Sequence, residues 1–126
     1  MKKVLDMDIK LEHHKHELSA WSRTLDYHQQ ENTYLKNLLV EILKNTSQGL
    51  PDKMEYYQNR LINNDTLLAL IRHDIREYGK ALERLEAINS ANFLNSSKKL
   101  RTNMEKMEKE LSSQKYDLNN YFEKFL

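Results

Sequence analysis

The feature that most constrains the fold is a stripe of side chains spaced alternately three and four residues apart, from Leu11 to Ile42. Its positions are Leu11, His14, Leu18, Trp21, Leu25, His28, Asn32, Leu35, Leu39 and Ile42. A seven-residue repeat of this kind places its members on one side of a long helix. The stripe predicts a first helix over about residues 5–46, roughly 60 Å long at about 1.5 Å per residue.

Two more stripes with the same period follow. They consist of Met54, Tyr57, Leu61, Asn64, Leu68, Ile71, Ile75, Tyr78, Leu82 and Leu85, then of Leu100, Met104, Met107, Leu111, Gln114, Leu118, Tyr121 and Phe125. Gly49 and Pro51 mark the first break, because glycine suits a helix end and proline a helix start. The Asn- and Ser-rich segment 89–97 marks the second, since these side chains compete for backbone hydrogen bonds. The second and third helices are predicted over about 51–89 and 95–126.

The scarcity of turn residues favours few, long elements. The 126 residues include two glycines and one proline, and turns depend on such residues. Short loops make consecutive helices antiparallel neighbours. The sequence therefore predicts an all-α fold. We expect one domain, residues 1–126, forming an antiparallel up-down-up three-helix bundle of long coiled-coil-like helices.

Composition and charge disfavour several classes of partner. The net charge is +1 with the two signs interleaved, which gives no reason to expect nucleic acid or an anionic membrane. The absence of cysteine excludes disulfides and thiolate chemistry. Charges from Asp6 onward interrupt any apolar run near the start, and Glu41 ends the most apolar run, 38–40. We expect a cytoplasmic protein with no membrane segment.

The polar residues within the stripes are predicted to meet near the middle of the bundle. Turns near positions 48 and 92 place Asn32 beside Asn64 and bring Tyr121 to about the same level. The same count places His28 near Gln114. The predicted central polar cluster consists of His28, Asn32, Asn64, Gln114 and Tyr121. Such a cluster either fixes helix register or binds a ligand or ion. The predicted cluster contains amides but no carboxylate. This disfavours a di-iron site, which needs carboxylate ligands.

A second group of polar residues lies near the start of the first helix. His13, His16 and Glu17 share a helix face at steps of three and four, the spacing that metal ligands need. The alternative is a solvated face. His73 and Asp74 are interpreted as a surface pair, because no Ser, Cys or glycine-rich turn is placed to complete a catalytic site. We therefore expect no catalytic, cofactor-binding or metal-binding residues.

Several apolar residues fall outside the stripes. Tyr27 and Tyr34 lie seven apart on an outer face of the first helix. A larger group falls toward one end of the bundle: Leu38, Val40, Leu43, Leu50, Tyr56, Tyr116, Phe122 and Leu126. These residues form either a thicker local core or a surface for association.

A series of short motifs runs through roughly the first 80 residues: Glu12-His13, Trp21, Lys44-Asn45-Thr46, Glu55, Tyr57-Gln58-Asn59 and His73-Asp74-Ile75. In these motifs the chain resembles a group of small uncharacterised helical proteins from Bacteroidetes-type bacteria. The resemblance implies a bacterial cytosolic setting. It implies no activity, cofactor or site residue.

These observations favour a non-enzymatic helical interaction or scaffold protein. Its expected partner is another protein or a second copy of itself, as in a homodimer. The alternative is a metal- or small-ligand-binding bundle that uses His13, His16 and Glu17 or the central polar cluster.

Overall fold

The computed structural model describes residues 2–45, 53–84 and 90–126. Within these ranges the chain forms three α-helices and no strand: α1 is Lys2–Asn45, α2 is Met54–Leu82 and α3 is Ala91–Phe122. Among these helices, none carries an apolar stretch long enough to cross a bilayer. The predicted all-α three-helix bundle is confirmed.

Contacts between the helices establish their directions. His14 near the start of α1 meets Tyr78 near the end of α2, and Asn32 meets Asn64 midway along both helices, so α1 and α2 are antiparallel. Asn64 also meets Gln114, whereas Tyr78 stacks on Phe93 near the start of α3. The chain therefore runs up, down and up, with α2 packed closely against both other helices.

The predicted stripes form the interior of the bundle. Their described apolar members are buried or partly buried, which is expected when a repeat of about 3.5 residues faces its neighbours. The larger apolar core consists of Trp21, Leu25, Leu68, Ile71, Ile75, Tyr78, Leu82, Phe93, Leu100, Met104, Met107 and Leu111. The smaller core consists of Leu35, Leu39, Ile42, Met54, Leu61, Leu118, Tyr121 and Phe122. The buried polar side chains of Asn32, Asn64 and Gln114 lie between them.

The third helix begins earlier than predicted. α3 starts at Ala91, inside the segment 89–97 that was expected to be a loop, because Ser90 caps it. The Ser90 backbone is extended, and its hydroxyl accepts a hydrogen bond of 3.1 Å from the Phe93 amide. α2 ends at Leu82 rather than near 89, and residues 85–89 lie outside the described ranges. The predicted first loop and helix start, 46–52, lie outside them too.

The early start of α3 corrects one part of the predicted polar cluster. It brings Gln114, rather than Tyr121, to the level of Asn64. Tyr121 is two helical turns further along, in the smaller core, where its ring contacts those of Tyr57 and Phe125. Its assignment to the central polar cluster was therefore wrong.

Candidate functional site

A ladder of amide hydrogen bonds joins all three helices at mid-height. Asn64 Nδ2 donates to Asn32 Oδ1 at 3.2 Å and to Gln114 Oε1 at 2.7 Å. Asn32 Nδ2 in turn donates to the Leu61 carbonyl at 2.9 Å and to Asp65 Oδ1 at 2.7 Å. The pairing of Asn32 with Asn64 that the sequence predicted is confirmed. We call Asn32, Asn64 and Gln114 the polar layer.

Charged side chains close both ends of the polar layer. Gln114 Nε2 donates to Glu110 Oε1 at 3.3 Å. At the other end, the Asp65 carboxylate also accepts from the ammonium of Lys36. The amide groups of Asn32 and Asn64 thus each donate two hydrogen bonds within the chain, which largely offsets the cost of burying them.

The cavity beside the polar layer is too small for an organic ligand. Its volume is about 40 Å³, and its lining includes His28, Asn32, Asn64, Ser112 and Gln114. A single water needs about 10–15 Å³ of such space, whereas ligand pockets measure roughly 300–1,000 Å³. The layer therefore suits a role in fixing register better than a role in binding a substrate.

Sequence reasoning missed the two carboxylates that complete this network. Asp65 and Glu110 lie outside the stripes, where charged residues usually face solvent. Their spacing could have identified them as partners of the layer. Asp65 directly follows Asn64, and Glu110 precedes Gln114 by one helical turn.

His28 lies at the edge of this layer. It is buried, its ring packs edge-on against Tyr27 at 5.1 Å, and its Nε2 is 3.9 Å from Glu108 Oε1 on α3. Burial lowers the pKa of His28; Glu108 opposes this shift and Lys115 adds to it. The neutral ring is therefore favoured near neutral pH.

A second buried histidine lies in an aromatic cluster near the start of α1. His14 Nδ1 and the Tyr78 hydroxyl are 2.7 Å apart, a hydrogen-bond distance. The His14 ring meets Phe93 edge-on at 5.1 Å, and Tyr78 contacts both Phe93 and Trp21 at 5.2 and 5.6 Å. Four rings from three helices therefore pack together.

The electrostatics of this aromatic cluster favour neutral groups. Burial lowers the pKa of His14, and the nearby His13, Arg101 and Lys10 lower it further, against an opposing effect of Glu17. Burial also raises the pKa of Tyr78. The imidazole therefore stays uncharged and the hydroxyl stays protonated near neutral pH.

The three side chains considered as alternative metal ligands, His13, His16 and Glu17, do not converge in the structure. The Glu17 carboxylate accepts two hydrogen bonds from the Arg101 guanidinium, at 2.8 and 3.0 Å. His13 Nε2 is 4.0 Å from Glu17 Oε1, and the His16 side chain is exposed. In the part of the chain that the structure describes, no three His, Asp or Glu side chains are placed to hold a metal ion. Glu17 instead ties α1 to α3.

The off-stripe apolar residues divide between the core and the surface. Phe122 is fully buried, and Leu38 and Leu43 pack against the smaller core. Leu50 lies outside the described ranges. Among the side chains that the structure describes, the large apolar ones that are exposed are Ile9, Tyr27, Tyr34, Val40, Tyr56, Ile62, Leu70, Leu94, Tyr116 and Leu126. Part of the set therefore thickens the core, and the rest lies on the surface.

A surface groove runs between α2 and α3, next to the aromatic cluster. Its volume is about 600 Å³, and its lining mixes both charges with small polar residues: Asp74, Glu77, Arg84, Ser96, Lys99 and Asn103. Tyr78 and Phe93 reach its floor. The exposed His73 is absent from its lining.

No protein-family model, curated protein or solved structure matches this chain.

Proposed function

We propose that this chain is a non-enzymatic helical interaction or scaffold protein that associates with itself. The observation that carries the proposal is the contrast between interior and surface. The polar layer is bonded within the chain, whereas four tyrosines, Tyr27, Tyr34, Tyr56 and Tyr116, lie exposed. Tyrosine is enriched at protein interfaces, because its ring buries much area while its hydroxyl stays hydrogen-bonded.

The buried histidines support a structural role rather than catalysis. A general base needs access to a substrate proton, and His14 is buried in the aromatic cluster. His28 borders a surface groove but is itself 8% exposed. Their partners, Tyr78 and Glu108, are groups that position or neutralise a ring. We place the protein in a bacterial cytoplasm, in agreement with its lack of cysteine.

Light scattering coupled to sizing tests the proposal. Protein made without an affinity tag is measured over a range of concentrations, with and without added zinc. The expected result is a mass that rises with protein concentration and is unaffected by zinc, because association follows mass action. A monomer at every concentration contradicts self-association.

The zinc comparison, together with metal analysis, separates this proposal from its rival, a metal-binding bundle. Metal analysis of the untagged protein is expected to find far less than one equivalent of zinc, because Arg101 occupies the carboxylate of Glu17. A mass that changes only when zinc is added, with near one equivalent bound, favours the rival.

A further inference from the structure

The outer ridge of α1 carries a regular stripe of exposed residues. Opposite the buried stripe runs a second stripe with the same alternating spacing: Arg23, Tyr27, Gln30, Tyr34, Asn37 and Glu41. All six side chains are exposed, Tyr27 by 51% and Tyr34 by 59%. Between its charged ends the stripe carries only tyrosines and amides, although charged residues make up 31% of the chain. Protein interfaces are enriched in tyrosine and depleted of charge at their centres.

The charges nearest this outer stripe are already paired with the other helices. Residues 24–40 of α1 include three Asp, Glu, Lys or Arg side chains: Asp26, Glu31 and Lys36. Asp26 accepts from Arg72 at 2.9 Å, Glu31 accepts from Lys115 at 2.9 Å, and Lys36 pairs with Asp65. A partner helix that approaches the stripe therefore meets little uncompensated charge.

The outer stripe is complementary to itself in one arrangement. When two copies lie antiparallel about position 32, Arg23 faces Glu41 of the second copy. Tyr27 then faces Asn37, and Gln30 faces Tyr34. In a parallel pair, Arg23 faces Arg23 and Glu41 faces Glu41, which is unfavourable for like charges. A two-fold axis repeats each pairing, as symmetric dimers require.

We propose that two copies of this chain pair antiparallel through the outer stripe of α1, with the two-fold axis near position 32. This inference rests on the proposed function and specifies the partner and the surface. The stripe from Arg23 to Glu41 is about 27 Å long and about 10 Å wide. It covers on the order of 300 Å² per copy, less than the roughly 800 Å² of a standard stable complex. The dimer is therefore weak by the standard of stable complexes.

Disulfide trapping tests the direction and register. The chain has no cysteine, so an introduced pair is unambiguous. A mixture of Arg23→Cys and Glu41→Cys proteins is expected to form the mixed disulfide dimer under mild oxidation. Arg23→Cys alone is the matched control. In the antiparallel dimer, position 23 of one copy lies about 27 Å from position 23 of the other, beyond the roughly 7 Å limit for a disulfide. Faster trapping of Arg23→Cys with itself overturns the proposal.

Charge exchange tests the end pairs. Arg23→Glu and Glu41→Arg each convert both symmetric ion pairs into like-charge pairs, and each is expected to raise the dissociation constant about tenfold. The double variant restores opposite charges and is expected to return to within about threefold of the original value. Sedimentation at up to about 1 mM protein measures all four proteins, since weak association requires high concentration. A double variant as weak as the singles contradicts the pairing.

A comparison of two tyrosine variants distinguishes a wrong choice of surface from an absence of self-association. Tyr34→Lys is expected to weaken the dimer at least tenfold, because it places a charge near the two-fold axis. Tyr116→Lys, at an exposed tyrosine of α3, is the matched control and is expected to leave it unchanged. If Tyr116→Lys or Leu70→Lys abolishes the dimer and Tyr34→Lys does not, the chain self-associates through a different surface. That result overturns the outer stripe as the interface. A monomer at every concentration overturns both.

Discussion

His14 is a polar ring placed within the larger apolar end of the bundle. It is buried, with Nδ1 at hydrogen-bond distance from the Tyr78 hydroxyl. The apolar rings of Trp21 and Phe93 surround this pair. A neutral imidazole satisfied by one hydrogen bond is tolerated there, whereas a charged one loses hydration that the cluster does not replace. The buried histidines therefore make folding stability depend on pH.

Acidification is expected to destabilise the protein. Burial lowers the pKa of both His14 and His28 in the folded state, so the unfolded chain binds protons first as the pH falls through about 6.5. The stabilisation is fully present above that value and is lost below it, with a slope of up to about 1.4 kcal/mol per pH unit for each histidine. Denaturant unfolding between about pH 8 and 5 measures the effect.

Single substitutions assign the pH dependence. His14→Gln and His28→Gln are each expected to reduce the slope of unfolding free energy against pH. His73→Gln, at an exposed position of α2, is the control and is expected to preserve it. An unchanged slope in both buried-histidine variants contradicts the assignment.

Trp21→Ala is expected to be among the most destabilising single changes. Trp21 is 9% exposed and its ring contacts Tyr78, so truncation leaves a large cavity costing about 3–5 kcal/mol. The comparison is Tyr34→Ala, at an exposed aromatic residue, where a change within about 0.5 kcal/mol is expected. Equal unfolding midpoints for Trp21→Ala and the original protein would contradict the packing described above.

At the scale of the helices, long charged side chains add to the apolar contacts between α1 and α3. Arg101 reaches Glu17 and Lys115 reaches Glu31. α2, in contrast, packs closely against α1, and Gly79 lies where the two helices meet. Glycine inside a helix costs about 1 kcal/mol relative to alanine, so the space around Gly79 decides whether alanine would be more stable there.

Gly79→Ala is expected to stabilise the protein. A Cβ placed there would lie 3.4 Å from Leu18 Cδ2, an ordinary contact with the end of a flexible side chain. The gain in helix propensity, about 0.5–1 kcal/mol, is therefore expected to outweigh the local adjustment. A rise in the thermal midpoint measures it. A fall would show that close packing between α1 and α2 requires glycine at this position.

The helices were more predictable than their mutual register. Stripe phase is local to one helix, which explains why the burial of Leu25, Leu68 and Leu118 followed from spacing alone. Register between α2 and α3 depends on loop length, and the segment after α2 has no glycine or proline to fix its end. The cap at Ser90 made the loop end earlier than predicted and moved Tyr121 away from the polar layer. The bond from Arg101 to Glu17 was also missed, because long surface side chains have many alternative partners.

At the scale of the whole molecule, the polar layer divides the interior into two apolar cores. Apolar stripes alone tolerate sliding by one heptad, because leucine replaces leucine. Such a slide between α1 and α2 places Asn64 against Leu25 or Leu39, in the apolar cores. An amide buried without a partner costs about 1–3 kcal/mol. The layer therefore selects one register at the expense of some apolar burial.

Leucine substitutions in the polar layer test this role. The expected order of their stabilities depends on how many of the three amides are left without a partner. Asn32→Leu is expected to destabilise the fold by about 1–3 kcal/mol, because it leaves Asn64 with one fewer acceptor and Asp65 with one fewer donor. Asn32→Leu with Asn64→Leu still leaves Gln114 without its donor from α2, so recovery is expected to be partial. Adding Gln114→Leu removes the last amide and is expected to restore or exceed the original stability.

The loss of the layer is then expected to appear as heterogeneity rather than instability. In the triple-leucine variant, heptad slides no longer bury an unsatisfied amide, so several registers become similar in free energy. Denaturant unfolding reports the stability, and amide NMR spectra report the number of states through doubled or broadened signals. A triple variant that is less stable than Asn32→Leu, yet gives one sharp set of signals, would mean that the amides contribute net stability. The apolar stripes and the loops would then define the register without them.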